Sequence, residues 1–151
     1  MKILKRIFIG IICIPVLMIL FEIFGFIVNH IATNIQTAQL EKAILSELSM
    51  VEMIDTYSET GNTSGTGNHV DMLSVAVFKT EDTKTDIKNK LKNIYDFDDE
   101  FGCWVEELKE SHEHLNGFSF WNKMDIPEDL DNCYMIYLNE RAPFVDNIEG
   151  H

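Results

Sequence analysis

The chain opens on Ile7–Val28, 22 residues whose apolar run is broken only by Gly10, Pro15, Glu22 and Gly25. As a helix this stretch spans roughly 33 Å, enough for a hydrocarbon core of about 30 Å. Sixteen of its residues are Leu, Ile, Val or Phe, worth on the order of −5 to −10 kcal/mol of insertion free energy as an upper limit. Glu22 sits about 9 Å from the C-terminal end of the span, where an acidic group costs less than at the centre. Its expected behaviour is snorkelling toward the nearby interface. Lys2, Lys5 and Arg6 precede the span and the next basic residue is Lys42, which predicts a cytoplasmic N-terminus and a C-terminal domain outside. A cleaved signal peptide is the competing reading, but Ala32 and Gly25 have His30 and Ile23 where a cleavage site needs a small residue. Cys13, inside the span, reads as a small apolar residue.

Beyond the span the pattern changes. Residues 29–39 are rich in Asn, Thr, Gln and Ala, with only Ile31 and Ile35 as large apolar residues, which predicts a helical stalk leaving the bilayer. Leu40, Ile44, Leu48, Val51 and Ile54 then fall on one side of a helical wheel, an amphipathic stripe whose expected cover is the domain's own sheet. Ser58–His69, with three Gly and few apolar residues, predicts a mobile loop that ends this helix. Val70–Lys79 is a mostly apolar run of strand length and predicts a central strand. Thr83 with Asp86 resembles a capping box, and Ile87, Leu91, Ile94 and Tyr95 follow at helical spacing. Gly102–Leu108 and Cys133–Leu138 have the aromatic and β-branched content of strands, and Gly117–Trp121 offers a third.

The expected fold class is therefore α+β: an N-terminal transmembrane helix, an amphipathic helix, then a small mixed or antiparallel sheet with one short helix packed on it, the helices on one side. The expected divisions are a basic N-terminus (1–6), the transmembrane helix (7–28), the stalk (29–39), an extracytoplasmic α+β domain (40–139) and an irregular tail (140–151).

Charge narrows the range of partners. The whole chain carries a formal net charge of −13, and from Asn29 onward nine basic residues face 24 acidic ones (9 − 24 = −15). A nucleic-acid backbone or an anionic lipid surface would be repelled. The expected partners are the lipid bilayer, through the N-terminal helix, and a protein partner or a second copy of the chain; no nucleic acid is expected.

Motifs for chemistry are sparse. Asp96, Asp98, Glu100 and Glu107 occupy positions 1, 3, 5 and 12 of a calcium-loop spacing, but Phe101 stands where the motif needs Gly. A solvated acidic turn is expected there and the question of a metal is left open. Asp125, Glu128, Asp129 and Asp131 cluster without ligand spacing. The glycines at 61, 65 and 67 lack the Lys and Ser or Thr of a phosphate-binding loop. His112 and His114 would share a side of an extended strand; a polar surface loop is the expectation. Lys84, Lys88, Lys90 and Lys92 read as the solvated face of the short helix. A Cys103–Cys133 disulfide would contribute roughly 3–4 kcal/mol in the chain-entropy model, but nothing in the sequence fixes the register it needs, and two separate buried thiols are expected. No catalytic residue and no cofactor are expected. The plan of an apolar helix, an amphipathic helix and a sheet is shared by pilin-like proteins. Their processing signal is absent: the apolar run ends at Val28, two residues after Gly25-Phe26, where that family continues with a hydrophobic segment, and His30 stands fifth after Gly25 where that family has Glu. The reading is a single-pass membrane-anchored protein with an acidic extracytoplasmic binding or interaction domain. Its alternatives are an anchored hydrolase whose site forms only in the fold, or a structural component that oligomerises.

Overall fold

Helix α1 runs from Lys2 to Glu47 as a single element, with Pro15 inside it. The structure is a computed structural model that describes residues 2–65, 67–97 and 102–151, with side chains described from Ile12 onward apart from that of His112. After α1 come β1 (Glu52–Gly61), β2 (Asp71–Lys79), α2 (Lys84–Leu91), β3 (Cys103–Glu107), α3 (Leu108–Leu115) and β4 (Cys133–Arg141), with short 3-10 turns at Trp121–Lys123 and Ile148–Gly150. The four strands form one sheet in the order β1-β2-β4-β3. Every neighbouring pair is antiparallel, so the layout is α+β with an antiparallel sheet.

Alternation along the strands sorts the core into two layers. Ala76, Phe78, Val105, Tyr134, Ile136 and Leu138 point toward Leu40, Ala43 and Ile44 of α1, Leu48 just after it, and Ile87 and Leu91 of α2. Leu73, Val75, Val77, Met135 and Tyr137 face the opposite way, onto Leu108, Leu115, Phe120, Trp121 and Met124. β2 is buried along nearly its whole length, as an interior strand covered on both faces must be. On the second face Trp104 stacks on its cross-strand neighbour Tyr137 at 4.4 Å between ring centroids, an aromatic pair of the kind that stabilises strand pairing. The capping box is present: Thr83 accepts from the Asp86 amide, and Asp86 accepts in return from Thr83.

Several local expectations are corrected. Helix α1 stops at Glu47 and does not continue to Ile54 and Tyr57. Met50 takes a positive φ of 49°, and Ser49 is held from both sides, its amide donating to Asp82 (2.8 Å) and its carbonyl accepting from Thr80 (2.6 Å). Burial of Asp82 opposes its charge, but hydrogen bonds from Lys90 and Ser49 prevail and hold its carboxyl below the usual range. The residues that follow, Ile54, Thr56, Tyr57 and Thr60, suit a strand, so β1 occupies the start of the expected loop and reaches Gly61. Gly117–Trp121 is turn and 3-10 structure, its aromatics packed under the sheet and not paired in it. The expected polar loop around His112 and His114 is helix α3. Positions two apart on a helix do not share a face, which removes the side-by-side imidazoles of an extended strand. Helices therefore lie on both faces of the sheet.

Cys103 and Cys133 are buried free thiols. Cys103 pairs with Leu138 and Cys133 with Lys79, and the two belong to opposite core layers, so no bridge can form without unmaking the sheet. Burial also pushes the Cys133 thiol above its ordinary value, which suppresses thiolate chemistry. Alkylation after unfolding without reductant should find both thiols free, and a reducing agent should leave the unfolding temperature unchanged. A peptide linking Cys103 to Cys133 in the mass spectrum would contradict this register.

Candidate functional site

Two regions concentrate polar groups against α1, and a third resembles catalytic chemistry. The most elaborate is the junction between α1 and the C-terminal segment. After β4 the chain doubles back along Val70, with the Ala142 amide donating to the Val70 carbonyl (3.0 Å) and the Val70 amide to that of Val145 (2.8 Å). Asn29, fully buried, clamps this segment in both directions: its amide donates to the Phe144 carbonyl and its carbonyl accepts from the Phe144 amide, both at 3.0 Å. Two turns earlier on α1, the Glu22 carbonyl and carboxylate accept from the Asn147 side chain, both at 2.9 Å, and the Ile148 amide donates to the same carboxylate at 3.0 Å. The ring of Phe144 meets Phe21 and Phe24 edge-on at 5.6 and 5.5 Å.

Two glycines permit the close approach. A Cβ on Gly25 would lie 2.6 Å from the Asn147 amide nitrogen, and one on Gly150 would lie 2.5 Å from the His69 backbone. His30 contacts Glu149 at 2.8 Å, while the second carboxylate oxygen of Glu149 is buried without a hydrogen-bond partner among the described residues. Glu22 therefore does not simply snorkel: its carboxylate anchors the end of the chain.

Above this junction α1 meets the sheet through hydroxyls and amides. Thr33 contacts Thr60 at 2.7 Å and Thr37 contacts Ser74 at 2.7 Å. Ser74 donates to Gln36 (2.8 Å), which donates to Glu140 (3.0 Å). Beside this seam a groove of about 430 Å³ is lined by residues that include Gln39, Lys42, Ile94, Tyr95 and Glu140. Burial, with Cys103 and Glu140 adding to it, pushes the Tyr95 phenol up to about 12, so it stays protonated at neutral pH. Ser46, with Lys42, also lines the groove, but the Ser46 hydroxyl is directed to the Ala43 carbonyl at 3.2 Å and the Glu47 carboxylate at 3.4 Å.

Ser64, His69 and Asp71 gather in the β1–β2 connection, a constellation that sequence spacing did not single out. The Ser64 hydroxyl (3.4 Å) and the Asp71 carboxylate (3.1 Å) both contact Nε2 of His69. A catalytic relay needs the hydroxyl on one ring nitrogen and the carboxylate on the other. Asp71 also accepts from the Ser64 amide at 3.2 Å, and the Asn62 side chain donates to the Gly67 carbonyl at 2.7 Å. The arrangement closes a turn and does not activate a nucleophile.

The expected calcium spacing lies partly outside the described residues, since Asp98, Glu100 and Phe101 fall there. Among the described residues no group of three metal-ligating side chains converges. The second acidic cluster is drawn into ion pairs, Asp129 with Lys79 at 3.1 Å and Asp131 with Lys109 at 2.6 Å. Lys84 and Lys90 likewise pair with Glu106 and Asp82. The His112 side chain lies outside the described set, and His114 is exposed with its ring edge-on to Phe118.

The remaining feature of the site is the helix itself. Within Ile12–Glu47, α1 is by length and composition apolar enough to cross a membrane: its most apolar 18-residue part has a mean hydropathy of 2.3 and is 11% buried. Compared with protein-family models, curated proteins and solved structures, the chain matches none.

Replacing Asn147 with Ala should free the C-terminal residues, because the Glu22 carboxylate keeps just one of its two tail donors; the expected cost is about 1–3 kcal/mol. Carboxypeptidase should then trim the last residues faster than in the parent, while thermal unfolding of the sheet shifts little. Gly25→Ala, which forces the same amide away, should act in the same direction. Unchanged trimming in both variants would mean that the clamp contributes nothing.

Proposed function

We propose that the protein is a single-pass membrane protein, anchored through a span within residues 7–28, whose acidic domain acts outside the cytoplasm as a binding or interaction module. The observation that carries this reading is the surface of α1 before Asn29. Leu17, Met18, Ile19, Leu20, Phe21, Ile23 and Phe24 expose half or more of their surface and lie on all sides of the helix. That much apolar surface is stable against lipid and unstable against water. Lys2, Lys5 and Arg6 ahead of the span favour a cytoplasmic N-terminus.

The two rival readings have less support. A hydrolase would need a nucleophile with an oriented base, and the Ser64–His69–Asp71 geometry does not provide one. Oligomerisation through Leu40, Ile44 and Leu48 would need a stripe that the protein's own core already uses. The domain's function as an interaction module is supported by its excess of acidic side chains, which favours basic or cationic partners at long range.

Expressed full length, the protein should stay in the membrane fraction after carbonate washing at its uncleaved mass. Protease added to intact cells should remove the C-terminal domain. Release into the soluble fraction would reject the anchor, and protection until lysis would reverse the orientation.

A further inference from the structure

The junction between α1 and the C-terminal segment has a consequence for how the domain sits on a bilayer. Twenty residues of α1, Lys2–Phe21, precede Glu22, about 30 Å of helix, of which Ile7–Phe21 in the proposed span make up about 22 Å, against a hydrocarbon thickness of about 30 Å. At that level the apolar surface does not end; it passes onto the tail. Phe144 lies against Phe21 and Phe24, Pro143 is exposed, and Ile148 leaves 66% of its surface uncovered. Two of the polar groups at this level, Glu22 and Asn29, are internally paired. The Glu22 carboxylate is filled by Asn147 and the Ile148 amide, and the Asn29 amide by Phe144.

We infer that residues 143–151 form a membrane-interface element: the bilayer surface lies against Phe144 and Ile148 at the level of Glu22, and the domain is seated directly on the lipid. This rests on the anchoring proposed above and adds a second, C-terminal contact with the bilayer. The occupant is a zwitterionic lipid surface. Continuity with the apolar span argues for lipid, and the acidic domain, with Asp146 beside the contact, argues against anionic headgroups. Met50, which is 78% exposed at the far end of α1, stands about 40 Å from Glu22 along the helix and serves as the aqueous reference.

The test uses the full chain carrying Cys13→Ala, whose remaining thiols are buried, with a nitroxide at Ile148→Cys or at Met50→Cys, in phosphatidylcholine vesicles. The ratio of oxygen to water-soluble relaxant accessibility should be several-fold higher at 148 than at 50. Equal ratios, with the protein still floating with the vesicles, would overturn the interface element while leaving the anchor standing; failure to float would overturn the anchor itself. Spin–spin broadening at 148 without oxygen access would mean that a second copy covers this surface, which also overturns the inference. If Ile148→Cys does not fold, Ile148→Trp with brominated lipid answers the same question: added quenching relative to the parent supports lipid contact and its absence contradicts it.

Discussion

One face of α1 holds the molecule together. Gly25, Asn29, Thr33, Gln36, Leu40, Ala43 and Ile44 are buried in succession, at the three- and four-residue steps that return to one side of a helix. The chemistry of that face changes along its length: a glycine where the tail crosses, then amides and hydroxyls against β1 and β2, then aliphatic side chains in the core. Because the helix is continuous from the apolar segment to Glu47, the domain and the candidate span share a rigid element.

The change from polar to apolar contact follows from what each level packs against. Toward the C-terminal end of α1 the neighbours are Phe78, Ile136 and Leu138, and burial there is driven by the release of apolar surface from water. Nearer the candidate span the neighbours are Thr60, Ser74 and Glu140 together with the backbone of Phe144. A buried polar group is tolerated only when its hydrogen bonds are made, and Asn29, Thr33 and Gln36 each make theirs across the contact. This seam is directional as well as cohesive: sliding α1 by one turn would leave several buried groups unpaired, at about 1–3 kcal/mol each.

Much of the fold was legible in the sequence because its signals were periodic and apolar. The run Val70–Lys79, the Thr83 cap, the strands around Val105 and Ile136 and the apolar helix all carried patterns that a core imposes. What escaped was polar. The face formed by Asn29, Thr33 and Gln36 repeats at helical spacing as faithfully as Leu40 and Ile44, but side chains that pack by hydrogen bonding look like solvent-facing residues to any hydrophobic count. β1 escaped for a related reason, since an edge strand can remain partly wet and keep Glu, Asp, Ser and Thr in its sequence. The aromatics of Gly117–Trp121 imitated a strand because a residue that docks under a sheet and one that pairs within it share the same composition. The role of Glu22 depended on Asn147, 125 residues away, a separation that no local pattern encodes.

The most direct test of this account is amide hydrogen exchange on the full chain in nanodiscs, read over residues 29–39. A helix face locked by Asn29, Thr33 and Gln36 against the sheet and tail should exchange there as slowly as β2, through opening of the whole domain. Exchange through these residues orders of magnitude faster than in β2, with the sheet still protected, would show a loose tether between membrane and domain and would contradict the shared rigid helix.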